Sequence, residues 1–214
     1  FDHEEYSFSS GLHGVGTEAI NALSKYLFVT TKYDNSHHIQ YFFQDGNFVN
    51  KQMVESIKCP FSTEVKFLPN SQFFQSPTMD WSIIKEVLTI AKYGLGDSVR
   101  VTLNGEEILN NYLEEFKGEN CAELINGEYQ SKFTQETCQI YIARYEDFDS
   151  GKIFKGIVNL LASSEGTNQS VCNNLLKNKL MDIATKQKKH VQPNDLLVPI
   201  RILCNLKIKE PHFN

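Results

Sequence analysis

The sequence predicts two α+β domains that meet near residue 110. Strand-like alternation and helical periodicity are interspersed in both halves, and 214 residues with 41% hydrophobic content are enough to bury two cores. The stretch from Asn110 to Phe133 is weakly patterned, with several charges and two glycines, so the junction is placed at its start: one domain over 1–109, the other over 110–214.

In chain order, "FDHEEYSFSS" lacks an initiator methionine and leads into a glycine cluster, which suggests a chain cut from something longer. In "SSGLHGVGTEAINALSKYL", Ser9 to Leu27, Gly11, Gly14 and Gly16 precede a helix predicted over the next eleven residues, with Ala19, Ile20, Leu23 and Leu27 on one face. "LFVTTKY" and "HIQYFFQ" flank the turn residues "DNS" and read as a hairpin. "STEVKFLP" alternates Thr63, Val65 and Phe67 against Glu64 and Lys66 before Pro69 stops it. "TMDWSIIKEVLTIAKYG" predicts a helix capped by Thr78, buried through Ile84, Val87, Leu88 and Ala91, and ended by Gly94. "SVRVTLNGEE" returns to strand, with "NGE" as a turn.

In the second half, "CQIYIARYEDF" reads as a strand, "DSGK" as a turn and "IFKGIVNLLAS" as one further strand. "QSVCNNLLKNKLMDIATKQKK" predicts a helix capped by Ser170, with Val171, Leu175, Leu176, Leu180, Ile183 and Ala184 inward. "RILCNLKIK" closes the chain as a strand carrying Ile202, Cys204, Leu206 and Ile208 on one face. Phe42, Phe43, Phe73, Phe74 and Trp81 read as core.

A net charge of −5 argues against a small, uniformly basic nucleic-acid binder. Five scattered cysteines, without Cys-x-x-Cys or a Cys/His pattern at ligand spacing, predict a reduced cytoplasmic protein without structural zinc. No apolar run of about 18 residues is present to span a bilayer. The notable basic clusters are Lys186–His190 and Lys207–Lys209; lysines at a helix end ordinarily complement the dipole and stay solvated.

Glycine accepts positive φ and lets backbone approach a ligand. Three glycines ahead of a helix, whose first-turn N–H groups lack intrahelical partners, make a candidate phosphate site, although Gly-x-x-Gly-x-Gly matches neither the dinucleotide fingerprint nor the P-loop. The residues themselves are more specific. "SSGLHGVGTEAINALS" resembles the glycine-rich loop and following helix of type IIA DNA topoisomerase ATPase subunits, the family of DNA gyrase B and topoisomerase IV B. "FDHEEYSFSS" is similar to the ATP lid before that loop, and "FSTEVKFLPNSQFF" to the strand bearing the adenine-side threonine. "GIVNLLASSEGTNQS" resembles the strand-to-helix passage of the transducer, and "LKIKEPHFN" the strand approaching its Gln-Thr-Lys loop.

The resemblance implies the C-terminal part of a GHKL-type ATPase domain followed by a ribosomal S5 domain 2-like transducer. It implies ATP as ligand, phosphates held by Gly11, Leu12, His13, Gly14, Val15 and Gly16, and Thr63 on the adenine side. His13 as a structural loop histidine and Thr63 as an ordinary strand residue are the plainer readings of those two. The family's catalytic glutamate, its Mg²⁺-binding asparagine and its transducer lysine correspond to no residue of this chain, so the chain alone is expected not to hydrolyse ATP. DNA, a second copy and an A-type cleavage subunit are the implied partners of an ATP-dependent topoisomerase. Ser10 and Ser62 stand where the family often has glycine, and "SEGTNQ" replaces Glu-Gly-Gly-Thr-His. Another GHKL ATPase, of mismatch-repair or chaperone type, and a non-catalytic module that kept the fold are the alternatives.

Overall fold

The computed structural model describes residues 15–55, 61–74, 78–146, 153–163, 165–193 and 195–209. Contacts divide the chain at Met79/Asp80 into two compact units.

The first unit begins with helix α1, Gly16–Ala22, and continues through strands β1 (Ser24–Lys32), β2 (His37–Gln44), β3 (Asn47–Glu55) and β4 (Thr63–Pro69). They form one antiparallel sheet in the order β3-β2-β1-β4. The helix expected to reach Leu27 is therefore seven residues long: Ser24 onward pairs with β4, and Leu27 lies 2% exposed inside β1. β-Branched and aromatic residues from Leu27 to Thr31 favour the ladder over another helical turn. Asp45 and Gly46, at φ 47° and 80°, make the tight turn between β2 and β3, a hairpin not among those expected above. Phe73 is exposed, as is Phe74, so neither is the core residue expected.

The second unit holds α2 (Trp81–Leu95), the short pair β5 (Thr102–Leu103) and β6 (Glu106–Glu107), α3 (Tyr112–Lys117), β7 (Cys121–Gln130), β8 (Thr137–Tyr145), β9 (Ile153–Val158), β10 (Leu161–Ala162), α4 (Thr167–Lys186) and β11 (Ile200–Lys207). Five strands form a mixed sheet, β10-β9-β11-β8-β7, in which only β9 and β11 run parallel. Alternation along the strands feeds two cores. Ala143, Tyr145, Ile157 and Leu203 pack with Ile90 of α2 and with Tyr112 and Phe116 of α3. Phe154, Ile202 and Cys204 point the other way, against Cys172 and Leu176 of α4.

Several expectations change here. Asp80, not Thr78, caps α2: its carboxylate accepts from the Ser82 N–H at 2.9 Å, and the Ser82 hydroxyl also donates to it, which holds the carboxyl below its usual range. The helix ends at Gly96, φ 74°, rather than at Gly94. Lys92, buried, secures that end by donating to the carbonyls of Gly96 (3.2 Å) and Val99 (2.8 Å). Ile90 is buried while Val87 and Trp81 are exposed. The strand predicted over "IFKGIVNLLAS" folds back at Asn159 and Leu160, both at positive φ, into β9 and β10. α4 is rotated from the expected face and capped by Gly166 instead of Ser170: Leu176, Leu180 and Ala184 are at least partly covered, whereas Val171, Leu175 and Ile183 are exposed. α3 and β7 occupy the stretch that had looked unpatterned.

Candidate functional site

Of the predicted phosphate-binding residues, Gly11, Leu12, His13 and Gly14 lie outside the described residues. Val15 and Gly16 lie within them, at the head of α1. Val15 is the N-cap residue, and its carbonyl accepts the first intrahelical bond from the Ala19 N–H at 2.9 Å. No side chain caps this end. By helix geometry the N–H groups of Gly16, Thr17 and Glu18 have no intrahelical acceptor. A Cβ built on Gly16 would meet nothing within 4 Å, so neither crowding nor positive φ demands glycine there.

The far end of α1 is tied down. The Asn21 amide donates to the Gly46 carbonyl at 2.9 Å, and the Ser24 hydroxyl donates back to the Ile20 carbonyl. The Asn70 N–H donates to the Leu23 carbonyl at 2.9 Å while its amide reaches Asp45 Oδ1 at 3.3 Å. Three polar side chains thus knot the helix end to the β2–β3 turn and to the end of β4. None was singled out in the sequence, although "DG" between two strand-like runs is a strong hairpin signal.

Thr63 opens β4, an edge strand, opposite Thr31 of β1 and exposed. By alternation it shares a face with Val65 and Phe67, 49% and 41% exposed. Just before it, the Ser62 carbonyl accepts from the Lys32 N–H at 2.8 Å, so serine at this position extends the ladder. The Phe61 carbonyl lies 2.7 Å from Nε2 of the buried His38; a carbonyl only accepts, so His38 carries its proton on Nε2.

In the second unit, Glu165 and Gly166 of "SEGTNQ" lead into α4, which Thr167, Asn168 and Gln169 open. Gly166 takes φ 107°, a backbone state reserved for glycine, and Asn168 folds over Gly156. A Cβ at Gly156 would collide with the Ser163 carbonyl oxygen and stand 2.8 Å from Asn168 Nδ2, which fixes glycine at that strand position.

No family model matches the chain. The B subunit of DNA topoisomerase 4 from Salmonella typhimurium is 37% identical over 108 residues, half of this chain and 17% of that protein. Its counterpart from Streptococcus pneumoniae aligns with the whole chain at 24% identity, over 36% of its own length. The chain is similar to DNA gyrase B and topoisomerase IV B proteins. It spans well under half the length of these relatives. Among solved structures, the ATPase and transducer domains of DNA topoisomerase II from Balamuthia mandrillaris superpose with a TM-score of 0.73 at 17% identity, covering 96% of this chain and 54% of that one. The fold is accordingly α+β, similar to that of these ATPase and transducer domains.

Among the described residues, no three His, Cys, Asp or Glu side chains are grouped so as to hold a metal ion, and no helix is long and apolar enough to cross a membrane. The structure does bring together three cysteines that the sequence left scattered, Cys138, Cys172 and Cys204.

Proposed function

We propose that the chain is the ATP-lid-to-transducer portion of a type IIA DNA topoisomerase B-type subunit, coupling ATP binding and hydrolysis to passage of one DNA duplex through another. The observation that carries this reading is alignment of the entire chain with a topoisomerase IV B protein, with "GLHGVG" leading into α1.

ATP supplies the free energy of binding and hydrolysis; the chain's own part is to receive its phosphates. Backbone N–H groups from Gly11 through Gly16 would hold the β- and γ-phosphates, aided by the positive end of α1, and Thr63 would lie on the adenine side. The absence of a side-chain cap on α1 suits such a ligand. Residues 1–109 would belong to the ATPase domain and 110–214 to the transducer that relays nucleotide state. Mg²⁺ and its ligand, and the groups that cleave ATP, would come from outside this chain. The partners would be DNA, a second copy joined in the ATP-bound state and a DNA-cleaving A-type subunit, in the cytoplasm.

The test is ATP-dependent relaxation or decatenation of plasmid DNA by the parent protein with its A-type subunit. Activity that requires ATP and disappears in Gly16→Val supports the reading. A parent protein that leaves plasmid topology unchanged at every ATP concentration sinks it.

A further inference from the structure

Asn159 is 2% exposed in the turn between β9 and β10, and it is hydrogen-bonded to the end of β11. Its N–H donates to the Leu206 carbonyl at 2.9 Å, its side-chain amide donates to the Ile208 carbonyl at 2.8 Å, and its Oδ1 accepts from the Ile208 N–H at 2.9 Å. The parallel pairing of β9 with β11 runs out at Val158 opposite Leu206. Beyond that point the asparagine side chain supplies the donor and the acceptor that one more strand residue would have supplied. From the other side, Glu136 Oε1 accepts from the Lys209 N–H at 3.1 Å. Ile208 and Lys209 are thus held in place after regular strand has ended at Lys207.

Leu160, the next residue, takes φ 73°, a state that a bulky side chain adopts only where its surroundings hold it. Here α2 holds it. A Cβ on Gly94 would stand 2.5 Å from Leu160 Cδ2, so Leu160 occupies the room that glycine leaves on the helix. Gly94 is buried, precedes the C-cap Gly96 and is not at positive φ, so room for Leu160 is what calls for glycine there. One turn therefore touches both ends of the second unit: α2 opens it just after Met79/Asp80, and β11 is its last strand among the described residues.

We propose that the Asn159–Leu160 turn is a latch that ties α2 to the point where the chain leaves β11, so that displacing Leu160 from Gly94 frees Ile208 and Lys209. Asn159, at φ 46°, and Leu160 are adjacent and both in left-handed backbone, so a change in one carries the other. A Leu160 pushed off the helix relaxes toward negative φ and turns the Asn159 amide away from Ile208. Asn159 is in this sense a positioning residue, acting on the segment beyond Lys209 through the backbone of Ile208. The latch involves no nucleotide, and it holds or fails whatever ligand the glycine loop takes.

The test is amide hydrogen exchange on the parent protein, read at Ile208 against the fully buried core positions Ala143 and Leu203. Asn159→Gly suits the positive φ and removes only the side-chain clip; Ile208 should exchange about tenfold faster while Ala143 and Leu203 stay unchanged. Gly94→Val, whose new side chain meets Leu160 first, should speed Ile208 by about threefold. Because both substitutions act through one turn, the double variant should exchange no faster at Ile208 than Asn159→Gly alone. Unchanged exchange at Ile208 in Asn159→Gly overturns the clip. Unchanged exchange there in a folded Gly94→Val protein, or additive effects in the double variant, overturns the link to α2. Equal acceleration at Ala143 and Leu203 in Asn159→Gly makes Asn159 a general stabiliser and overturns the proposal as well. Should Gly94→Val not fold, Leu160→Ala, which withdraws the side chain from Gly94, takes its place with the same expectation.

Discussion

The two sheets of this chain are covered differently. The five-stranded sheet has a core on each face, one under α2 and α3, the other under α4. The four-stranded sheet buries Leu27, Thr30 and His38 yet leaves Phe48, Met53, Val65 and Phe67 at 41% exposure or more. A sheet with helices on both faces can hold itself together through apolar burial. One whose apolar side chains stand in water draws less stability from them and relies more on its ladders and on the knot of Asn21, Asp45 and Asn70. Within these 214 residues, apolar burial is concentrated in the unit after Asp80, and the candidate nucleotide end belongs to the unit before it.

Separating the units should give the largest effect. A chain of residues 80–214 should unfold in one cooperative transition in urea and one of residues 11–79 should not; cooperative unfolding of both would erase the contrast. Single substitutions sharpen it. Leu203→Ala, at a fully buried position, should cost about 3–4 kcal/mol by urea denaturation. Gly156→Ala should cost about 3 kcal/mol, since the new methyl meets a backbone carbonyl that cannot swing away. Val65→Ala, on the uncovered sheet, should cost about 0.5 kcal/mol or less.

The smallest effect concerns α2. The Ser82 hydroxyl and N–H lower the Asp80 carboxyl in the folded chain, so its contribution is present above the unfolded value, about pH 4, and fades as pH falls through the lower folded value. The stability gap between wild type and Asp80→Ala should therefore narrow in acid. A gap that widens there would contradict the capping assignment.

Where side chains alternate or carry turn chemistry, the sequence was readable. β1 and β2 form where β-branched and aromatic residues flank turn chemistry, β4, β8 and β11 form where strands were read, and "NG" at 104–105 turns as expected with both residues at positive φ. β7 escaped because it is an edge strand: nearly all its side chains face water, so no period marks it. α3 escaped because six residues carry too little pattern; Tyr112 and Phe116, one helical turn apart, bury it while Glu114 and Glu115 face outward. The face of α4 was misjudged because Cys172 turns inward whereas Leu175 stays in solvent. The candidate phosphate site rests on "GLHGVG", a motif whose spacing alone means little; the knot that anchors α1 was not legible, because asparagines and a turn aspartate form it across distant parts of the chain.

The most direct measurement is amide hydrogen exchange on the parent protein with and without a non-hydrolysable ATP analogue. Backbone N–H groups that hold phosphate oxygens are withdrawn from exchange, so the account predicts slower exchange at residues 12–16 in the presence of the analogue. Unchanged exchange there at saturating analogue would contradict the assignment of the glycine loop as the phosphate site.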